Sequence, residues 1–266
     1  MKNRIKKILC SSFFLAPIFL QGHIDLLNVL VPIEITEQNS GLDTIDCIYM
    51  LNLKERSDRW EEMTSRVKKH SLYINRVEAI NGWLLSQECR NQLPIDSRRS
   101  LRQGEIGCLL SHMSIWKDAL DRGFDRIWIL EDDILFNSPP IDLLAILQEL
   151  DSLDPSWDIL YTDTPSSFCV FPEHDHLVSD LKAMKKITNV SRNLIQIQGR
   201  WGTHSMIISR SGLEKLFQYF FENPIFGAVD YQMNFLMSLK KYACSRNIVS
   251  VQGQWGSNTT VPPRRL

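Results

Sequence analysis

Arg126-Ile127-Trp128-Ile129-Leu130-Glu131-Asp132-Asp133 is the stretch on which the reading of this chain turns. Four consecutive apolar residues run without a break into three carboxylates. An unbroken apolar run of this kind suits a strand buried on both faces, as strands of parallel sheets are. The acids at its end are a different matter, because two like charges ~4 Å apart repel by about 4 kcal/mol at an effective dielectric near 20. Such a cluster faces either water or a cation. Mg²⁺ and Mn²⁺ take hard oxygen ligands, often one or two carboxylates together with phosphates. The carboxyl edge of a parallel sheet is also where α/β folds bind ligands. A solvated acidic loop capping the next turn would have the same local sequence, and the triplet alone does not separate the two.

Working upstream, Gln103 to Arg122 reads as a helix, with Ile106, Leu109, Leu110, Met113 and Leu120 on one face and Gly123 as its stop. Before it, Arg76–Ile80 reads as a strand ending in the turn dipeptide Asn81-Gly82. Ile45–Leu51 is the first strand, and Ser57 is placed to cap a helix carrying Trp60, Met63 and Val67 at helical spacing. Residues 23–44 are read as a linker. At the extreme N-terminus, Lys2, Arg4, Lys6 and Lys7 precede an apolar run from Ile8 to Leu20. That run is short for a ~30 Å hydrocarbon core, so residues 1–22 read as a signal peptide or as an uncleaved membrane-surface anchor.

Downstream, Pro139-Pro140 opens a helix over 141–150, and Trp157–Tyr161 is a strand ending at Thr162-Asp163. Thr164 to Asn193 resists a reading and is taken as a loop with a short helix. Gly202–Ser209 is a strand, 212–221 a helix, 229–240 a further helix and Ile248–Val251 the last strand. Strands alternating with helices predict an α/β fold: a single domain over 45–266 with a mainly parallel central sheet flanked by helices.

Composition excludes some classes of function. A formal net charge of −1 over 266 residues gives no broad basic field for nucleic acid. The six cysteines, Cys10, Cys47, Cys89, Cys108, Cys169 and Cys244, include no C-x-x-C pair and none at zinc-finger spacing from a histidine. Cys47 and Cys108 fall within apolar patterns and read as small buried hydrophobes, which suits a reducing compartment.

Several blocks, in order, resemble glycosyltransferase family 25, which includes bacterial lipopolysaccharide galactosyltransferases and collagen galactosyltransferases. They are Ile48–Leu53 with Arg56 and Asp58-Arg59; Gly104–Cys108 running into Leu110-Ser111-His112; Ile129–Asp133; Gly202-Thr203-His204 with Ile208-Ser209-Arg210; and Val229-Asp230. The resemblance implies a GT-A-like fold and transfer of a hexose, galactose by family habit, from a UDP-sugar with inversion. It implies Mn²⁺ (or Mg²⁺) held at the acidic motif, with Asp133 and Asp132 as ligands. Glu131 or Asp132 would touch the donor.

Asn52, Arg56 and Arg59 follow the first strand, where the nucleotide would sit; an exposed arginine at a helix start is the plain alternative for Arg59. His112 and His204 are further donor-site candidates that could equally be packed histidines, and Glu105 and Ser111 could be merely structural. An inverting transfer needs a base for the acceptor hydroxyl. Asp230 is the candidate, against a role as helix N-cap, and Asp163 is the reserve. Gln252–Asn258 resembles the family's closing segment and could shape the acceptor site.

The expected partners are a nucleotide sugar and a glycan or glycolipid such as lipopolysaccharide, with membrane association through residues 4–20 and no nucleic acid. The expected location is the cytoplasmic face of a membrane in a bacterium, or the exported or secretory route after signal cleavage. Two other readings compete: a non-catalytic glycan-binding protein on a transferase fold, and a metal-dependent phosphoesterase.

Overall fold

The computed structural model describes residues 26–96, 100–165, 185–252, 259–260 and 262. The N-terminal segment 1–22 and most of Gln252–Asn258 therefore lie outside the described residues, as does most of the unread stretch after Thr164. No described helix is long and apolar enough to cross a membrane.

Eight strands form one sheet in the order β2-β1-β3-β8-β5-β9-β7-β6. They are β1 (Cys47–Asn52), β2 (Asn75–Glu78), β3 (Arg126–Glu131), β5 (Ile159–Tyr161), β6 (Ile187–Asn189), β7 (Leu194–Ile197), β8 (Ser205–Ser209) and β9 (Lys241–Cys244). β1 pairs in parallel with β2 and β3, and β5 with β9; the pairings of β8 with β3 and β5, and of β7 with β9 and β6, are antiparallel. Following those directions across the sheet, only β8 and β7 run against the other six strands. The expected mainly parallel α/β sheet is what forms. A separate antiparallel pair joins β4 (Ile134–Phe136) to β10 (Val249–Val251).

Alternation along the strands builds two cores. Tyr49, Leu51, Ile127, Ile129, Met206 and Ile208 point to one face. There they meet α3 (Gln103–Arg122) and α5 (Arg210–Glu222), through Leu109, Met113, Trp116, Leu213 and Phe220. Ile48, Met50, Trp128, Leu130 and Ile207 point to the other face. They meet α1 (Ser57–Lys68) through Met63 and Val67, and α4 (Asp142–Leu153) through Leu143, Ile146, Leu147 and Leu150. A period of two on the sheet, set against a period near 3.6 on the helices, gives a three-layer fold. A short helix, α2 (Gln87–Gln92), precedes α3.

Several expectations are corrected. Ser57 is the first residue of α1 and does not cap it; the cap position is Arg56, which makes no side-chain cap bond. Ser57 is displaced because Arg56 N–H closes a turn on the Leu53 carbonyl first. The helix expected over 229–240 stops at once: α6 covers only Val229–Met233. Asn234 ends it by bonding both ways to the Arg200 backbone, accepting from its N–H at 2.9 Å and donating to its carbonyl at 3.0 Å. Beyond the expected helix, Lys241–Cys244 is the strand β9, a stretch to which the sequence reading assigns no element. β6 and β7 fall in or beside the stretch that gave no reading.

Residues 26–44, read above as linker, lie against the domain. Leu26 is fully buried in the core with Ile33, Val31 N–H donates to Ser114 Oγ, and Arg122 donates to the Ile33 carbonyl. Thr36 and Glu37 N–H both donate to Asn75 Oδ1 at 2.8 Å. Tertiary hydrogen bonds, which polar composition does not advertise, hold this stretch.

The reversal of β8 positions the site. Because β8 runs antiparallel to β3, its first residues meet the end of β3, where the acids begin; Glu131 N–H donates to the His204 carbonyl at 2.9 Å. Buried Trp128 fixes the register by donating from Nε1 to Ser205 Oγ at 2.9 Å.

Candidate active site

An open cleft of ≈ 640 Å³ lies at the carboxyl ends of β1 and β3. Asn52 and Leu53 form one wall, Asn81, Gly82 and Trp83 another, and Gly104, Cys108 and Ser111 of α3 a third; the acidic triplet lies at its base. Close backbone approach makes the second and third walls. A Cβ on Gly82 would stand 1.7 Å from the Gln103 carbonyl oxygen, and one on Gly107 2.4 Å from both Gly82 N and the Ile80 oxygen. Only glycine fits at either position. Ser111 ties the same turn, accepting from Ile80 N–H at 2.8 Å while donating to the Gly107 carbonyl. Glu105 closes the start of α3 by accepting from Arg102 N–H. Both residues therefore serve the structure.

The three acids are not equivalent. Asp132 is fully engaged: Oδ1 accepts from Arg59 Nη1 at 2.8 Å and Oδ2 from Asn52 Nδ2 at 2.7 Å. Asn52 is itself fixed by Arg76, which donates to its Oδ1, and by its own bond to the Arg56 carbonyl. Glu131 Oε1 accepts from Thr203 Oγ1 at 2.7 Å and stands 3.9 Å from His112 Nε2. Asp133 has Arg59 at 3.6 Å, and its Oδ1 is buried with no hydrogen-bond partner among the described residues.

Electrostatics follow the partners. Burial pushes the Asp133 carboxyl up to about 7, with the Glu131 and Asp132 carboxylates adding to it and Arg59 opposing. Burial also raises Asp132, against the pull of Arg59 and Asn52. For Glu131, burial acts upward too, but His112, Thr203 and His204 outweigh it and hold the carboxyl below its usual range. One buried arginine thus answers two adjacent aspartates, and the cluster is short of positive charge.

The other expected residues divide. Arg59 is almost wholly buried and belongs to the cluster, not to an exposed helix start. Arg56 forks onto Asp58, with Nε and Nη2 at 2.9 and 2.7 Å. Asp163 does not fit the role of base. It is 1% exposed, paired with Arg200 at 2.8 Å and beside His204 Nε2 at 3.2 Å, and those partners overcome burial and hold its carboxyl low. The Arg200 guanidinium lies over the Tyr161 ring, 4.3 Å from its centroid. The side chain of His204 thus meets Asp163, while that of Thr203, also just before β8, meets Glu131.

Asp230 does not cap α6, whose cap position is Ala228. Its Oδ2 accepts from Gly202 N–H at 2.7 Å and its Oδ1 from Tyr231 N–H at 2.8 Å. Gly202 has φ +83°, a left-handed conformation that needs glycine. Burial raises the Asp230 carboxyl, with the Gly202 bond opposing and the charge of Glu131 adding. Trp201, beside it, stacks on Tyr231 with centroids 5.5 Å apart.

Sequence reading missed two things here. Thr203 holds Glu131, and Cys108 and His112, four residues apart on α3, lie against Glu131. The i, i+4 spacing was a visible signal, but the third donor comes from another element.

Comparison with known proteins gives this geometry relatives. A family model described as "Glycosyltransferase family 25 (LPS biosynthesis protein)" matches residues 45–233. The chain is 30% identical over 181 residues to Procollagen galactosyltransferase 2 of Homo sapiens, covering 64% of this chain and 27% of that one. Procollagen galactosyltransferase 1 of Danio rerio is 28% identical over 181 residues, covering 64% and 28%. A human relative named "Inactive glycosyltransferase 25 family member 3" is 30% identical over 149 residues, covering 52% and 24%. The chain spans about a quarter of the length of these curated relatives.

Proposed function

This chain belongs to glycosyltransferase family 25, and from that premise we propose that it moves a hexose from a UDP-sugar to a hydroxyl of a glycan acceptor, with inversion, on a GT-A-like fold. The observation that carries the reading is the cation-deficient cluster at the base of the cleft: Asp133 has a buried, unpartnered oxygen, while Asp132 is already satisfied by Arg59 and Asn52.

The donor set fits a hard divalent cation, Mn²⁺ or Mg²⁺. Asp133 is the carboxylate left to hold it; Asp132 has spare lone pairs but fixed partners. Bound there, such an ion would neutralise charge on the diphosphate of the donor.

The chain's own residues do the rest. Arg59 and Asn52 fix Asp132 so that the triplet keeps one shape. The walls made by Asn81–Trp83 and the start of α3 are positioned to flank a nucleotide. Thr203 aims Glu131, which would meet the donor's ribose or sugar. The acceptor oxygen loses its proton to a base as it bonds to the anomeric carbon, and the bond from that carbon to the diphosphate oxygen breaks, releasing UDP. Asp230 is the proposed base. It is held in place by two backbone amides, and burial raises its carboxyl towards the working pH, which improves a general base. Galactose is the proposed sugar. The acceptor, a lipopolysaccharide-type glycan by the family description and a collagen peptide by the relatives' names, sits at the Trp201–Asp230 side. Attachment to a membrane through residues 4–20 would bring a glycolipid acceptor to the cleft.

The test is UDP release from UDP-galactose with Mn²⁺ and each acceptor in turn. Asp133→Ala is expected to lower kcat/KM by roughly 10²–10³-fold, the size of a lost transition-state charge contact, and EDTA to do the same to wild type. Full activity of the variant, or indifference to EDTA, sinks the metal role. The named inactive relative favours a second reading, a sugar-nucleotide-binding domain without turnover. Calorimetric binding of UDP-galactose with no UDP release for any acceptor would establish that instead.

A further inference from the structure

The wall of the cleft carries a second constellation, which shares only Glu131 with the proposed transfer reaction. Cys108 and His112 lie one turn apart on the same face of α3, and Glu131 reaches them from the end of β3. One donor atom from each, thiol sulfur, ring nitrogen and carboxylate oxygen, lies within 4.8 Å of the others. His112 has no exposed surface, and neither of its ring nitrogens has a hydrogen-bond partner among the described residues. A buried polar group left unmatched costs about 1–3 kcal/mol, so this imidazole calls for an explanation beyond packing on Trp116.

We infer that Cys108, His112 and Glu131 form a site for a thiophilic divalent cation of the Zn²⁺ class, separate in chemistry from the oxygen site at Asp133. Sulfur and imidazole donors select Zn²⁺ over Mn²⁺ and Mg²⁺. Zinc bonds of about 2.0–2.3 Å place ligand atoms roughly 3.3–3.8 Å apart around one ion. The His112–Glu131 separation is 3.9 Å already, so a small closure of the three donors completes the set. Access runs through the cleft, which Cys108 and Glu131 both line, and the fourth coordination position opens the same way. On binding, the Cys108 Sγ–H bond breaks, the proton leaves to solvent and the sulfur keeps its electron pair to bond the ion. Burial, which holds the free thiol protonated, makes that exchange dependent on a tightly bound metal. Because Glu131 serves both this site and the donor cleft, its occupation would withdraw Glu131 from Thr203 and oppose donor binding.

The test uses the full chain, freed of metal and titrated anaerobically with Co²⁺ as a spectroscopic stand-in for Zn²⁺. One equivalent of Co²⁺ should produce a thiolate-to-cobalt charge-transfer band, which Zn²⁺ then removes by displacement. Cys108→Ser should abolish the band, His112→Gln should weaken Zn²⁺ binding by at least about tenfold, and Asp133→Asn should leave the band in place. The wild-type spectrum needs no variant to fold: no charge-transfer band at saturating Co²⁺ overturns the site. So does a band that persists in Cys108→Ser, since another cysteine would then be the ligand. The outcome does not depend on turnover, so it stands apart from the transferase reading.

Discussion

Two groups of buried acid stand at the ends of the two strands that flank β8 and have opposite fates. At the end of β5, Asp163 meets Arg200, His204 and the Tyr161 ring, and the whole group is closed from solvent. At the end of β3, two aspartates share Arg59 beside Glu131, and all three acids open onto a cleft. An acid whose charge is answered by an arginine of its own inside the fold is structural, whatever its place on the sheet edge. A group in which the acids outnumber their arginine marks where a ligand must supply the missing charge. The sign of the local charge balance, more than position, separates the two.

Removing the cation from the closed group should have the largest effect on stability. Arg200→Ala leaves Asp163 buried without its arginine, and breaking a buried pair in this way costs about 3–5 kcal/mol. For a domain of this size that is a fall in melting temperature of roughly 10 °C, measurable by calorimetry. An unchanged melting temperature would break the comparison, because the closed group would then carry no stabilising charge.

pH should distinguish the two groups by sign. The folded value for Asp133 is raised to about 7, from an unfolded value near 3.9. Below about pH 4 the group costs nothing; as pH rises towards 7 the unfolded chain ionises it first, so metal-free protein loses stability across that window. The folded value for Asp163 is lowered, so its stabilisation is present at neutral pH and is lost only as pH falls below the unfolded value. Thermal melts of metal-free wild type and Asp133→Asn across pH 4–8 check this. The variant should lose the decline, and Mn²⁺ should restore wild-type stability above pH 7.

A smaller effect sharpens the open side. Thr203→Val removes the single hydroxyl bond to Glu131 while keeping side-chain volume, and should cost about 1 kcal/mol of stability. Its larger consequence is expected in KM for the donor, because Glu131 loses its aim; a change in kcat alone would argue that Glu131 does not touch the donor.

Much of this was legible from local pattern. The run Arg126–Leu130 is a strand because nothing else buries four apolar residues in a row so briefly. The helix Gln103–Arg122 was readable to the residue because its apolar face and Gly123, at φ +77°, declare both side and end. Other parts were hidden for physical reasons. Residues 234–240 looked helical because Val229 to Lys240 has helical spacing, and the helix stops where Asn234 grips the Arg200 backbone. Asp163 looked available because sequence shows an acid at a strand end but not the arginine from 37 residues later.

By itself, the sequence determined that a buried strand ends in three acids, that helices cover both sides of a mainly parallel sheet, and that this edge is the place for chemistry. Periodicity and local charge suffice for that, because both are properties of contiguous residues. The tertiary structure alone decided which acid is left without partners. That depends on Arg59 from α1, Asn52 from β1, Thr203 from just before the reversed β8, and Cys108 and His112 from α3 converging on one point. Convergence is set by strand order and direction, which no local pattern encodes.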